Sequence, residues 1–157
     1  MFINRRKSLG ILAATSFALL ASCGPTPQLR VHDAIVRLSP VDQNPSALYF
    51  TVRGGPKDVW LEEVSSRSAI RTEMHESKMV DGKMTMEAIN RIKIPADGKV
   101  EFKPGGKHVM VWGVNLIPRR LGEMELEFTF SNGDRILAEA KVTEMDGTDP
   151  DEKKALN

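Results

Sequence analysis

Apolar and polar residues alternate along most of this chain in short runs, and glycine, proline or aspartate cuts off each run. The clearest is 123–130, where Met124, Leu126, Phe128 and Phe130 alternate with Glu125, Glu127 and Thr129. Successive side chains of a strand point to opposite faces, so this pattern predicts a strand with one face in a core and the other in water. Asn132-Gly133 then leads into 135–142, the spacing of a β-hairpin. Further runs lie at 30–37, 47–53, 59–64, 71–79, 83–89, 99–102, 108–114 and 136–143. Between them stand Ser39-Pro40, Gly54-Gly55-Pro56, Asp81-Gly82, Pro95-Ala96-Asp97-Gly98 and Pro104-Gly105-Gly106, each a turn signal through the backbone preferences of Gly, Pro or Asp. No stretch keeps a helical period. Many short strands at this spacing predict an all-β fold, a sandwich or barrel.

The two ends differ from this pattern. Asn4-Arg5-Arg6-Lys7 is basic and residues 9–21 are apolar with small residues interspersed, which is the layout of a bacterial secretory signal. That stretch runs into Leu20-Ala21-Ser22-Cys23-Gly24, which resembles the bacterial lipobox, whose cysteine takes up lipid and becomes the first mature residue. The alternative, a buried thiol beside a cleavage site, leaves the complete flanking pattern unexplained. The expected organisation is a signal peptide at 1–22 and a lipidated tether at 23–28 containing Pro25 and Pro27. One β-domain follows at 29–146, then a polar, mobile tail at 147–157. Arg5-Arg6 hints at twin-arginine export, but the rest of that motif is poorly matched.

The 157 residues suit one domain. With 22 Lys and Arg against 21 Asp and Glu, and Arg5, Arg6 and Lys7 removed with the leader, the mature surface is near neutral and has no footprint for nucleic acid. Outside the N-terminus no apolar run is long enough to span a membrane, so membrane association is expected only through the lipid on Cys23. Cys23 is the sole cysteine, which excludes a disulfide and leaves any metal site to His, Met, Asp or Glu. There is no phosphate loop, nucleophile elbow or paired-cysteine motif.

Candidate chemistry gathers in the middle of the chain. Met74, His75, Met79, Met84, Met86, His108 and Met110 fall close together. A methionine taken singly is more often core filler than ligand, so the case for a site rests on geometry. Asp81-Gly82 predicts a two-residue hairpin pairing Val80 with Lys83, Met79 with Met84 and Ser77 with Met86. His75 then lies diagonal to Met86, and His75, Ser77, Met79, Met84 and Met86 share one face. His108 and Met110, two apart on an extended run, share a face as well. Thioether sulfur is a soft, neutral donor suited to Cu(I) rather than to Zn²⁺ or Mg²⁺, and imidazole accompanies it well. The lack of a cysteine ligand argues against a blue-copper electron carrier. Glu76 and Glu87 are expected on the opposite face. Met74 and Met124 read as packing, His32 as a surface strand residue, and Met79 and Met84 as a rim or a secondary metal contact. Trp112 is either a shield over the site or part of the core.

The series His75, ten residues, Met86, twenty-one residues, His108, one residue, Met110 resembles the H(M)x10Mx21HxM signature of the periplasmic copper(I) chaperones of the PCuAC family. Met74-His75-Glu76, Ile94-Pro95-Ala96-Asp97-Gly98 and the run from Lys103 to Met110 are similar to that family too. The likeness spans 31–142 and is strongest at 73–113; Glu76 departs from the optional methionine after the first histidine. The resemblance implies a cupredoxin-like Greek-key β-sandwich holding Cu(I) near its surface on His75, Met86, His108 and Met110. It further implies delivery of copper to the Cu(A) centre of cytochrome oxidase, with an oxidase subunit or a Sco-type copper protein as partner. A buffering or resistance lipoprotein without a dedicated recipient is the alternative, and a purely structural sandwich is a third. Enzymatic turnover is not expected, since four protein ligands leave no open position for substrate and no acid–base pair lies nearby.

Overall fold

The computed structural model describes residues 26–145. The expected signal peptide, Cys23 and the C-terminal tail lie outside the described residues.

Ten strands form among the described residues: β1 (Arg30–Arg37), β2 (Ser46–Arg53), β3 (Val59–Ser65), β4 (Arg71–Val80), β5 (Lys83–Ala88), β6 (Ile92–Ile94), β7 (Lys99–Phe102), β8 (Lys107–Trp112), β9 (Glu123–Phe130) and β10 (Arg135–Thr143). One continuous sheet runs β5-β4-β8-β2-β1-β10-β9-β3-β6, with β7 also on β2. The β1–β10 pair is parallel and every other pairing is antiparallel.

This sheet folds back on itself. β2 and β9 are separated by two strands in the hydrogen-bonded order, yet Phe50 of β2 and Phe128 of β9 meet edge to face with ring centroids 4.8 Å apart. Phe102 of β7 also stacks on Phe50, with ring centroids 4.0 Å apart. Aromatic pairs in these arrangements stabilise beyond the area they bury. Around them Leu48, Val52, Leu61, Ile94, Val109, Val111, Met124, Leu126 and Val142 are fully enclosed. The alternation read from 123–130 is therefore real: each apolar residue of β9 is buried and its polar neighbours are exposed or half-buried.

Two elements escape the period-two pattern. A short helix, α1 (Leu116–Leu121), sits between β8 and β9. Six residues are too few for a 3.6-residue period to register, and its marks are its caps. Asn115 accepts a hydrogen bond from the Ile117 N–H through its side chain at 3.0 Å, and Gly122, at φ 73°, closes the C-terminus. β6 is only three residues long, with Ile92 and Ile94 inward and Lys93 outward, too short to read as alternation. β1 carries a bulge between His32 and Ile35, with Asp33 at φ 55° and hydrogen-bonded to His32 at 2.6 Å; His32 belongs to the strand surface, as expected.

Candidate metal centre

Local turn chemistry builds the first half of the site. Asp81 and Gly82 both adopt positive φ, 49° and 75°, as a two-residue type I′ hairpin requires. The resulting register pairs Val80 with Lys83, Met79 with Met84, Ser77 with Met86 and His75 with Ala88, which is the pairing expected from sequence. The tertiary fold adds what the hairpin cannot. β8 lies along the other side of β4, so that His75 faces His108, Glu73 faces Met110 and Arg71 faces Trp112.

Directly opposed residues in an antiparallel pair share a face. One face of the β5-β4-β8 ribbon therefore carries Met86, His75, His108 and Met110 together with Glu73. The other carries Met74, Val109 and Val111 into the core, and Glu76, whose carboxylate accepts from Lys107 at 2.6 Å and pairs with Lys78 at 2.9 Å. Those two lysines hold the Glu76 carboxyl below its ordinary range, Lys107 most strongly.

The imidazole rings of His75 and His108 are 6.0 Å apart and inclined at 28°. Nε2 of His75 lies 3.2 Å from Oε2 of Glu73. A carboxylate only accepts, so Nε2 carries the hydrogen and Nδ1 keeps its lone pair. That Nδ1 is buried and has no hydrogen-bond partner. In His108 the roles are exchanged. Nδ1 lies 2.9 Å from the Gly106 carbonyl, another pure acceptor, and the lone pair falls on Nε2. The same carbonyl accepts the Ser77 N–H at 3.1 Å, and the turn behind it is closed by Lys103 N–H to Lys107 O at 2.7 Å. The Pro104-Gly105-Gly106 segment thus shapes the loop that presents His108.

Fixing the second nitrogen of a histidine with a carboxylate or a carbonyl is how proteins orient metal-binding imidazoles. An unpaired buried acceptor costs about 1–3 kcal/mol, a cost that a metal ion at Nδ1 would remove. Glu73 is the residue sequence reasoning missed. Its signal was its place two residues before His75, hence on the same strand face.

The ligand candidates differ in access. His75 is only 14% exposed in its side chain, His108 is buried and Met110 half-buried, whereas Met86 is 52% exposed. The histidines are thus the enclosed part of the candidate set and Met86 its exposed part. On an untwisted ladder, Met86 and Met110 stand two strands and four residues apart, a backbone separation of roughly 16 Å from standard strand spacings. His75, His108 and Met110 form the compact part, and Met86 stands apart from Met110 on the neighbouring strand.

Trp112 lies on this face rather than in the core, with the Arg71 guanidinium 4.1 Å over its ring. Met74 is buried and so is Met124, as packing residues should be. Met79 and Met84 are both exposed. Among the described residues no group of three or more His, Cys, Asp or Glu is placed to hold a metal.

The family model for LpqE-like lipoproteins matches residues 29–142. Among curated proteins, none matches the sequence. The fold is similar to that of the copper-bound PCuAC domain from PmoF2, at 17% identity and a TM-score of 0.59, covering 76% of this chain and 95% of that one. Apo-DR1885 from Deinococcus radiodurans is similar over 91% of this chain and 97% of its own, at 19% identity and a TM-score of 0.54. Its Cu(I) form is similar over 78% and 80%, at 22% identity and a TM-score of 0.53. The likeness is one of fold, and it is the cupredoxin-like β-fold expected from the sequence.

Proposed function

This chain belongs to the LpqE-like lipoprotein family, and from that premise we propose that it is an extracytoplasmic copper(I) carrier that binds one ion through His75, His108, Met110 and Met86. The observation that carries this reading is the buried, unpartnered Nδ1 of His75, in register with His108 and diagonal to Met110. Two imidazole lone pairs and two thioethers form a neutral, soft donor set, and that set favours Cu(I) over the hard or borderline divalent ions. Fold likeness to domains whose names record copper, PmoF2 and DR1885, supports the same choice.

The unequal exposure of the ligands suits a carrier. The enclosed histidines withhold the ion from water and stray thiols, while Met86, half in solvent, is the donor a recipient displaces first. Delivery toward the Cu(A) site of cytochrome oxidase, directly or through a Sco-type protein, is the destination this reading favours. Cys23, in its lipobox-like setting, is the proposed anchor to the periplasmic face of a bacterial membrane. No helix of the described residues is long and apolar enough to cross one.

Anaerobic Cu(I) titration of the purified protein against a chromogenic chelator, with X-ray absorption to count neighbours, tests the site. One copper with mixed sulfur and nitrogen ligation is expected, and affinity should fall in Met110→Ile, which keeps bulk and removes sulfur. Failure to compete for copper would end the reading. For the destination, a deletion strain should lose oxidase activity and regain it with added copper; normal oxidase activity with raised copper sensitivity would point to buffering instead.

A further inference from the structure

Three methionines share one face of the β4–β5 hairpin outside any core. Met79 and Met84 are directly opposed, and Met86 follows on the same face of β5 opposite Ser77. Their exposures are 65%, 59% and 52%. β5 pairs only with β4 and forms an edge of the sheet. Burying a methionine stabilises by about 1.5–3 kcal/mol, and Met74 and Met124 of this chain are buried in that way. Packing therefore does not account for three sulfurs left in water at a hairpin tip.

Their spacing suits one ion. Opposed side chains start about 4.5–5.5 Å apart and diagonal ones about 7–8 Å apart, within the combined reach of flexible thioether arms. Around the three sulfurs this face carries the uncharged Ser77 and Ala88; its one carboxylate, Glu73, stands six residues from Met79 along β4 and is paired with Arg71 and His75. By ladder spacing Met86 is nearer to Met84 and Met79 than to Met110.

We propose that Met79, Met84 and Met86 form a second, weaker, all-thioether Cu(I) site that receives the ion and passes it to the histidines. The proposal rests on the copper(I) reading above. Met86 belongs to both sites and stays bound during transfer, while the sulfurs of Met79 and Met84 leave as Nδ1 of His75 and Nε2 of His108 bind. The ion remains Cu(I) throughout, and no electron or proton moves. The enclosed histidine site holds the ion more tightly because it adds two imidazoles and excludes water, so transfer runs inward on loading. A recipient that engages the hairpin tip draws it back along the same path.

The test uses protein labelled with ¹³C at the methionine methyl groups, titrated with Ag(I) as a redox-inert probe and then with Cu(I). The first equivalent should shift Met86 and Met110, and the second, held by Met79 and Met84 with the Met86 sulfur bridging the two ions, should shift Met79 and Met84. In the double variant Met79→Leu with Met84→Leu, at exposed positions where leucine keeps the apolar bulk, the second event should vanish and loading of the first site should slow, with its equilibrium affinity unchanged. If the first site fills while Met79 and Met84 stay unmoved in excess Ag(I), the relay is wrong and the histidine site stands. If no methionine moves at all, the copper(I) reading fails and takes the relay with it.

Discussion

Replacing Glu73 by alanine removes the acceptor that holds the His75 Nε2–H, leaving β4 intact in sequence on either side. A hydrogen bond to a charged group contributes about 1.5–3 kcal/mol, and loss of such a supporting contact commonly weakens metal affinity by about 10–100-fold. Three features place Glu73 at the low end. Its carboxylate is 39% exposed, the contact to His75 is 3.2 Å, and it is shared with Arg71 at 3.1 Å, so solvent and a competing cation screen it. A loss of about 1.4 kcal/mol, or tenfold in Cu(I) affinity, is the expected result. Competition against a chromogenic Cu(I) chelator measures that. The ring ¹⁵N shifts of His75 in the metal-free protein supply an independent readout: wild type should show the hydrogen on Nε2, and Glu73→Ala a mixture of tautomers. Glu73→Gln, which keeps an acceptor without the charge, should lose less on both counts. Wild-type affinity in Glu73→Ala with an unaltered His75 tautomer would refute the role assigned to this carboxylate.

Phe128→Ala removes a fully buried ring that meets Phe50 and should destabilise the domain by about 3–5 kcal/mol in urea melts, as large-to-small core changes do; a loss below about 1 kcal/mol would mean the two halves of the sheet do not pack as described. Gly82→Val forces a β-branched residue to φ 75°, a left-handed conformation costing an L-residue about 1–2 kcal/mol. Amide exchange at residues 79–84 should quicken and Cu(I) binding weaken, while the melting of the core barely moves. Glu76 has its carboxyl held below the ordinary value of 4.5 by Lys107 and then Lys78. An acid with a depressed folded pKa contributes stability that is full above its ordinary value and lost as pH falls through the folded one. Acid unfolding of wild type should accordingly show an extra loss below pH 4.5 that Glu76→Gln lacks, and coincident acid limbs would exclude the contribution.

The core strands were legible because they are amphipathic along their own length, as β2 and β9 are. Met124, Leu126, Phe128 and Phe130 declare an inward face without reference to any partner, and Asp81-Gly82 declares a turn whose register follows from two positive φ values. The helix at Leu116–Leu121 and the strand at Ile92–Ile94 were not legible, since six and three residues carry too little periodicity to separate them from loop. The same locality explains which parts of the candidate site could be foreseen. Met86 opposite Ser77 and diagonal to His75 is a consequence of one hairpin. That His108 and Met110 share a face is a consequence of alternation.

What sequence by itself determined is therefore the donor inventory, its division between a hairpin and a separate strand, and the absence of a thiolate other than Cys23. Tertiary structure decided that β8 lies against β4 in the register that sets His108 across from His75 and Met110 across from Glu73. The Gly106 carbonyl and the Glu73 carboxylate, each two residues from the histidine it holds, are local contacts, and the tertiary pairing is what brings the two oriented rings to one place. The physical reason is range. Strand periodicity and turn geometry are set by neighbours along the chain, whereas pairing between distant strands is set by which apolar faces fill one core together. His75 and His108 meet because Met74, Val109 and Val111 on the reverse of the same strands are buried in that core.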